Sequence, residues 1–233
     1  MLALVNQPLF TMGTFKLKQD LIKKQRRTSQ KVKGTSDHCD IADLMRLAEN
    51  LFSSTKHTEK TLGLVIYTGV VTGLRIGDIL ELQTENLHPF EGGCRIKLTQ
   101  QKDKVKFDKL ISRRLDDMIG EYLGSKLITD KPDTYIFANP LTGKAYTNHW
   151  VNKRFNILKT DHQWLKDKTF STHTLRKSYA MTIYKYYGND IVKARDSLGH
   201  KSITTTQKYL NLDRKEKELI HANVVNDIFN AVV

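Results

Sequence analysis

A mainly α-helical fold with one small antiparallel β-sheet is the architecture this sequence predicts, on three grounds. Apolar residues recur at three- and four-residue spacing over most of the chain beyond Gly34-Thr35-Ser36. Between Cys94 and Leu110 the period changes to two. At 233 residues the chain is long enough for a substantial core, and no internal repeat or low-complexity tract points to another plan.

Taken in order, residues 1–35 read as a basic arm. Lys16, Lys18, Lys23, Lys24, Arg26, Arg27, Lys31 and Lys33 crowd a segment whose sole acid is Asp20. Self-repulsion keeps such a segment loose unless a polyanion neutralises it. Lys23, Lys24, Arg26 and Arg27 are its candidate phosphate contacts, and a solubilising tail is the plain alternative. Residues 36–233 read as one further domain. Asp37 or Asp40 can cap a helix that carries Ile41, Leu44, Leu47, Ala48 and Leu51 on one face. Glu59 to Thr72 is apolar nearly all round, as a central buried helix should be.

From Cys94, Ile96 and Leu98 alternate with Arg95, Lys97 and Thr99, and a second run follows through Val105, Phe107 and Leu110, which predicts a β-hairpin. Arg113 to Gly124 reads as a helix with Leu115, Met118, Ile119 and Tyr122 inward. Pro132 and Pro140 bracket a loop with a short strand candidate at Tyr135-Ile136-Phe137, and Asn148 to Leu158 is a further amphipathic helix. The chain closes on a helix pattern over 214–232, with Leu219, Val224, Ile228 and Val232 apolar.

The stretch from Ser171 to Leu212 carries the chemistry. His173 and Arg176 stand three apart, so a helix beginning near Thr172 puts both on one face of its first turn. Such a helix start offers unpaired N–H groups and a positive dipole end, and arginine adds a planar fork that matches phosphate oxygens. Leu175, Tyr179, Ile183 and Tyr186 or Tyr187 recur at helical spacing and should face a core. Asn189 or Asp190 can cap a second short helix that Gly199 ends, with His200 just beyond, and Ser202 can open a third that carries Tyr209. Each of these residues alone has an ordinary explanation: a solvated face, a cap, a packing tyrosine. Their order and spacing do not.

His-x-x-Arg, then Leu-Gly-His, then Tyr nine residues beyond the second histidine resembles the C-terminal signature of the tyrosine recombinases, or phage integrases. The run Thr72-Gly73-Leu74-Arg75-Ile76-Gly77-Asp78 resembles the first arginine box of the same family. The resemblance covers the chain from about Asp37 onward and implies the catalytic-domain fold of that family. It also implies a reaction: metal-free and ATP-free transesterification of double-stranded DNA with no cofactor. Tyr209 would be the nucleophile, Arg75, Arg176 and His200 would neutralise charge on the phosphate, and His173 would add a hydrogen bond or assist as a base. A lysine of the β-hairpin would protonate the leaving oxygen, Lys102 matching best. Lys104 is the runner-up and otherwise a phosphate contact. Asp78 would orient Arg75, since a buried arginine needs an acid or an outside anion.

Charge agrees with a polyanionic partner: 38 Lys and Arg against 25 Asp and Glu leave a formal net charge of +13. Cys39 and Cys94 supply neither a disulfide framework nor a metal pattern, and no segment reads as a signal peptide or a membrane span, so a soluble cytoplasmic protein is expected. Relatives in the family place a helical domain of about a hundred residues, a small domain's length, before the catalytic one, whereas some thirty-five precede it here. Either the arm forms the other half of a DNA clamp, or the chain resembles short recombinases that invert promoter segments, or it is part of a longer protein. Site recognition is then expected to be weak or to use accessory DNA-binding proteins. The amphipathic tail can pack back on its own domain; the resemblance implies instead that it docks on a second copy, giving dimers on one site and tetramers on paired sites. The rival readings are a type IB topoisomerase, with the same chemistry in a monomer, and a DNA-binding regulator without catalysis.

Overall fold

The computed structural model describes residues 36–91, 93–102, 104–124 and 134–212; the arm with Lys23, Lys24, Arg26 and Arg27 and the expected helix over 214–232 lie outside them. Helix α1 (Ile41–Phe52) is capped by Asp40, whose carboxylate accepts from the N–H groups of Ala42 and Asp43 at 2.8 and 3.4 Å. Asp37 does a different job, accepting from the Thr169 N–H at 2.7 Å and so tying the chain to the approach of a later helix.

Helix α2 (His57–Thr72) is the central element, buried from Thr61 to Val70 on every side. Leu62, Leu64, Val65, Ile66 and Val70 are each at most 3% exposed, and burying such a side chain contributes roughly 1.5–3 kcal/mol relative to leaving it in water. Helices α1 and α2 approach closely at Gly63, where a Cβ would lie 2.5 Å from the Ala48 carbonyl oxygen. Any larger residue there would push the pair apart.

After α3 (Ile76–Leu80) and a 3-10 turn at Thr84–Asn86, three strands form one antiparallel sheet in the order β1 (Leu87–Phe90), β2 (Gly93–Thr99), β3 (Lys106–Leu110). The β2–β3 hairpin lies where the alternation predicts it, with Leu98 opposite Phe107 and Ile96 opposite Lys109. Strand β1 was not expected. Its sequence, Leu-His-Pro-Phe, has no alternation and includes a residue without an N–H, which a sheet tolerates at its edge.

Helix α4 (Arg113–Gly124) buries Leu115, Met118, Ile119 and Tyr122, as its period predicts. The expected strand at Tyr135-Ile136-Phe137 is absent: single bridges Gln83↔Tyr135 and Ala138↔Ala145 flank it, while Ile136 and Phe137 fill the core as loop residues. Then come α5 (Asn148–Asp161), the short α6 (Gln163–Lys166), α7 (Thr172–Tyr186), α8 (Ile191–Leu198) and α9 (Ile203–Leu210).

The apolar side chains sort into two clusters. The larger gathers α1, α2, the sheet, α4, α5 and Leu175 of α7. The smaller gathers Ala180 and Met181 of α7, Ala194 and Leu198 of α8, and Leu210 of α9, with Tyr179, Tyr184 and Tyr209 packed against it. The core face expected for α7 ends early. Tyr186 and Tyr187 are 79% and 50% exposed, because the last turn of α7 runs past the smaller cluster. No described helix is long and apolar enough to cross a membrane.

Candidate active site

One cleft of about 640 Å³ is lined by Arg75, Asp78, Lys102, His173, Arg176, His200 and Tyr209, together with Gln101, Asn148, Lys201 and Thr205. These residues come from well-separated parts of the chain. Arg75 precedes α3, Lys102 sits in the β2–β3 turn, His173 and Arg176 stand on α7, His200 follows α8, and Tyr209 is on α9. Lys104 belongs to the same turn, at φ 54°, but is not among the lining residues.

Arg176 is 4% exposed and anchored by two backbone carbonyls: Nη1 donates to Gly73 O at 2.6 Å and Nη2 to Leu198 O at 2.7 Å. Gly73 is in the left-handed region (φ 68°) and closes the C-terminus of α2. A Cβ there would also sit 2.3 Å from the Tyr179 ring, so both the backbone conformation and the close approach require glycine.

Arg75 donates from Nη1 to Gln100 Oε1 at 2.6 Å. Asp78, expected to orient Arg75, is bonded to the hairpin. Its Oδ1 accepts instead from the backbone N–H of Gln101 at 3.0 Å, and its buried Oδ2 takes no hydrogen bond. The acid therefore fixes the turn that follows β2, and the neighbouring Gln100 amide holds the arginine. Helical spacing put Asp78 one turn from Arg75, but the side chain points across to the hairpin. Gln100 was missed, since a lone glutamine after a strand carries no pattern; only its 4% exposure in the fold marks it.

His173 lies at the mouth of α7, where Ser171 caps the helix by accepting from the His173 N–H at 3.3 Å. Desolvation by the cleft walls, then the charges of Arg176, Lys102 and Arg75, hold its imidazole below the usual histidine range. The ring of His200 shares a hydrogen bond between Nδ1 and the Thr206 hydroxyl at 3.0 Å and meets the Tyr209 ring edge-on, with centroids 5.6 Å apart. The Tyr209 hydroxyl donates to the backbone carbonyl of His173 at 3.4 Å, not to either imidazole. Burial pushes its pKa up to about 12, against the opposing pull of Arg176 and Arg75.

The cleft thus collects cations, with Asp78 the one acid among its described lining residues. Donors of this type suit a phosphate, and a phenol among them suits nucleophilic attack on it. No group of three or more His, Cys, Asp or Glu side chains that could hold a metal ion occurs among the described residues.

Comparison with known proteins points the same way. The chain is 24% identical over 190 residues to the tyrosine recombinase XerD of Staphylococcus aureus, which covers 77% of this chain and 59% of that protein. It is 26% identical over 156 residues to the tyrosine recombinase XerH of Helicobacter pylori, covering 66% and 42%. The chain therefore spans only about half the length of these relatives. The solved structure of XerH bound to a palindromic difH substrate superposes with a TM-score of 0.65 at 18% identity, over 83% of this chain and 55% of that one. A lambda integrase dimer bound to a COC′ core site superposes with a TM-score of 0.56 at 21% identity, over 78% and 61%. The fold, mainly helical around a three-stranded antiparallel sheet, is thus that of an integrase catalytic domain. The sequence model described as the phage integrase family matches residues 36–216, and the chain belongs to that family.

Proposed function

We propose that the protein is a site-specific DNA recombinase that cuts and rejoins double-stranded DNA through a 3′-phosphotyrosyl intermediate. The observation that carries this reading is the cleft itself, where Arg75, Lys102, His173, Arg176, His200 and Tyr209 line one wall-to-wall space. Arg75, Arg176 and His200 hold the phosphodiester and the charge that grows on its oxygens. Tyr209 Oη attacks phosphorus, the bond from phosphorus to the 5′ oxygen breaks, and that oxygen takes its proton from Lys102. The phenolic proton passes to His173, whose neutral, proton-accepting form is favoured by desolvation and by the nearby charges of Arg176, Lys102 and Arg75. A 5′ hydroxyl of another strand reverses the steps. The Tyr209 hydroxyl must leave the His173 carbonyl to do this, a small movement from a long bond.

Assembly into dimers on one site and tetramers on two belongs to the same proposal, as do the phosphate contacts of Lys23, Lys24, Arg26, Arg27 and Lys104. The DNA complexes of XerH and of lambda integrase support duplex DNA as the partner. The test uses a pool of nicked duplexes of randomised sequence. Covalent complexes should form without divalent metal, and peptide mapping of the adduct should give Tyr209. An adduct on Tyr179, Tyr186 or Tyr187 would refute the assignment, and failure to trap any duplex would favour a DNA-binding regulator.

A further inference from the structure

Lys109 stands on β3 two residues after the buried Phe107, on the strand face that turns inward. A lysine there loses water and needs acceptors in return. It has two: Nζ donates to the Tyr179 hydroxyl at 3.0 Å and to the Ser197 carbonyl at 2.7 Å. Both belong to the mounting of Arg176. Tyr179 is the next residue but two along α7, and its ring presses on Gly73, whose carbonyl receives Arg176 Nη1. The Ser197 carbonyl begins the peptide that leads into Leu198, whose own carbonyl receives Arg176 Nη2. One ammonium therefore links the ring packed on Gly73 to the residue before Leu198, and Lys109 is not among the residues that line the cleft.

We propose that Lys109 is a positioning residue: by tying β3 to Tyr179 and to the Ser197–Leu198 peptide, it sets the guanidinium of Arg176 toward the cleft. The catalytic meaning of that placement rests on the recombinase reading above; the placement itself does not. Lys109 is set apart from the other hairpin lysines by this geometry. Lys97, Lys104 and Lys106 are exposed, whereas desolvation, with the charge of Arg176 adding to it, lowers the Lys109 pKa to about 8.

The experiment compares wild type with Lys109→Met, which keeps the aliphatic stem, and Tyr179→Phe, which deletes one hydroxyl. Each full chain is labelled with ¹⁵N-arginine and its guanidinium signals are followed by NMR, Arg176 being assigned by its loss in Arg176→Lys. Wild type should show separate, slowly exchanging Nη signals for Arg176, as expected of a group locked by two carbonyls. Lys109→Met should merge or broaden them, Tyr179→Phe should do so partly, and the Nε signal of Arg75, held by Gln100, should stay. On duplexes captured by the wild type, adduct formation by Lys109→Met should slow about tenfold or more, the scale of one hydrogen bond to a charged group, with the DNA dissociation constant within about twofold. Unchanged Arg176 signals in both variants would overturn the proposal. So would equal loss of the Arg75 and Arg176 signals with a collapse of thermal stability, because Lys109 would then only support the fold. Should Lys109→Met not fold, Tyr179→Phe decides by itself. If the wild type captures no duplex, the recombinase reading fails while the NMR comparison still settles the role of Lys109.

Discussion

The two apolar clusters hold different parts of the cleft, and they are unequal. The large one seats the end of α2, the sheet and the first turns of α7, and with them Arg75, Lys102 and His173. The small one, under α8 and α9, seats His200 and Tyr209. Arg176 joins them, one anchor being the carbonyl that ends α2 and the other the carbonyl that ends α8. Under the proposed mechanism, Arg75 and Lys102 are thereby mounted on the best-packed part of the molecule, and the proposed nucleophile Tyr209, with His200, on a small, separately packed unit. Elements with few buried apolar contacts open at lower free energy than a core, which suits a tyrosine that must shift off the His173 carbonyl before it can attack.

The largest expected effect tests whether the small unit carries reactivity with little stability. Tyr209→Phe should abolish covalent adducts entirely while changing unfolding free energy by less than about 0.5 kcal/mol, since among the described residues the bond lost is a long one at the cleft. A large fall in thermal stability would show that Tyr209 braces the fold. Next comes a matched pair of cavities. Leu64→Ala, at 0% exposure in α2, should cost about 2–5 kcal/mol of global stability. Leu210→Ala, also at 0% exposure, should act locally, speeding amide exchange in α9 and slowing adduct formation while the global transition moves less. Equal shifts in both transitions would mean one cooperative unit and would erase the distinction.

Smaller effects follow on the core side. Gln100→Leu removes one acceptor of Arg75 and should slow adduct formation about 10- to 100-fold, from roughly 1.5–3 kcal/mol for a hydrogen bond to a charged group. Asp78→Asn should slow it less, because the acid reaches the arginine only through the turn. The smallest effect concerns pH. His173 has its pKa lowered on folding, so the unfolded chain binds more protons, and stability falls as pH drops from the ordinary histidine value of 6.5 through the lower folded value. Wild type should therefore lose more stability than His173→Gln between about pH 7.5 and about pH 5. An equal loss would place the histidine in ordinary solvent.

Much of the fold was legible because burial imposes period. The apolar circumference of Glu59 to Thr72 marks the central helix, and Leu115, Met118, Ile119 and Tyr122 mark α4 by their spacing. Where a side chain's fate depended on what lay opposite, the pattern failed. Tyr186 and Tyr187 continue the spacing of α7 past the reach of the smaller cluster and stay exposed, packed edge-on against each other. Ile136 and Phe137 are core residues without being a strand, and Leu87 to Phe90 is a strand without alternation.

The sequence by itself determined which residue types could do phosphate chemistry and in what order, because His-x-x-Arg, Gly-His and the later Tyr are local spacings that short helices and caps translate directly into position. It also determined a basic balance that favours a polyanion. Tertiary structure alone decided partners such as Gln100 for Arg75, the carbonyls of Gly73 and Leu198 for Arg176, and the His173 carbonyl for Tyr209. It alone separated Lys109 from the other lysines of its hairpin. The reason is physical. Periodicity records whether a side chain leaves water, whereas a hydrogen bond between residues 22 to 103 positions apart depends on how whole helices and strands pack, and no local pattern encodes that.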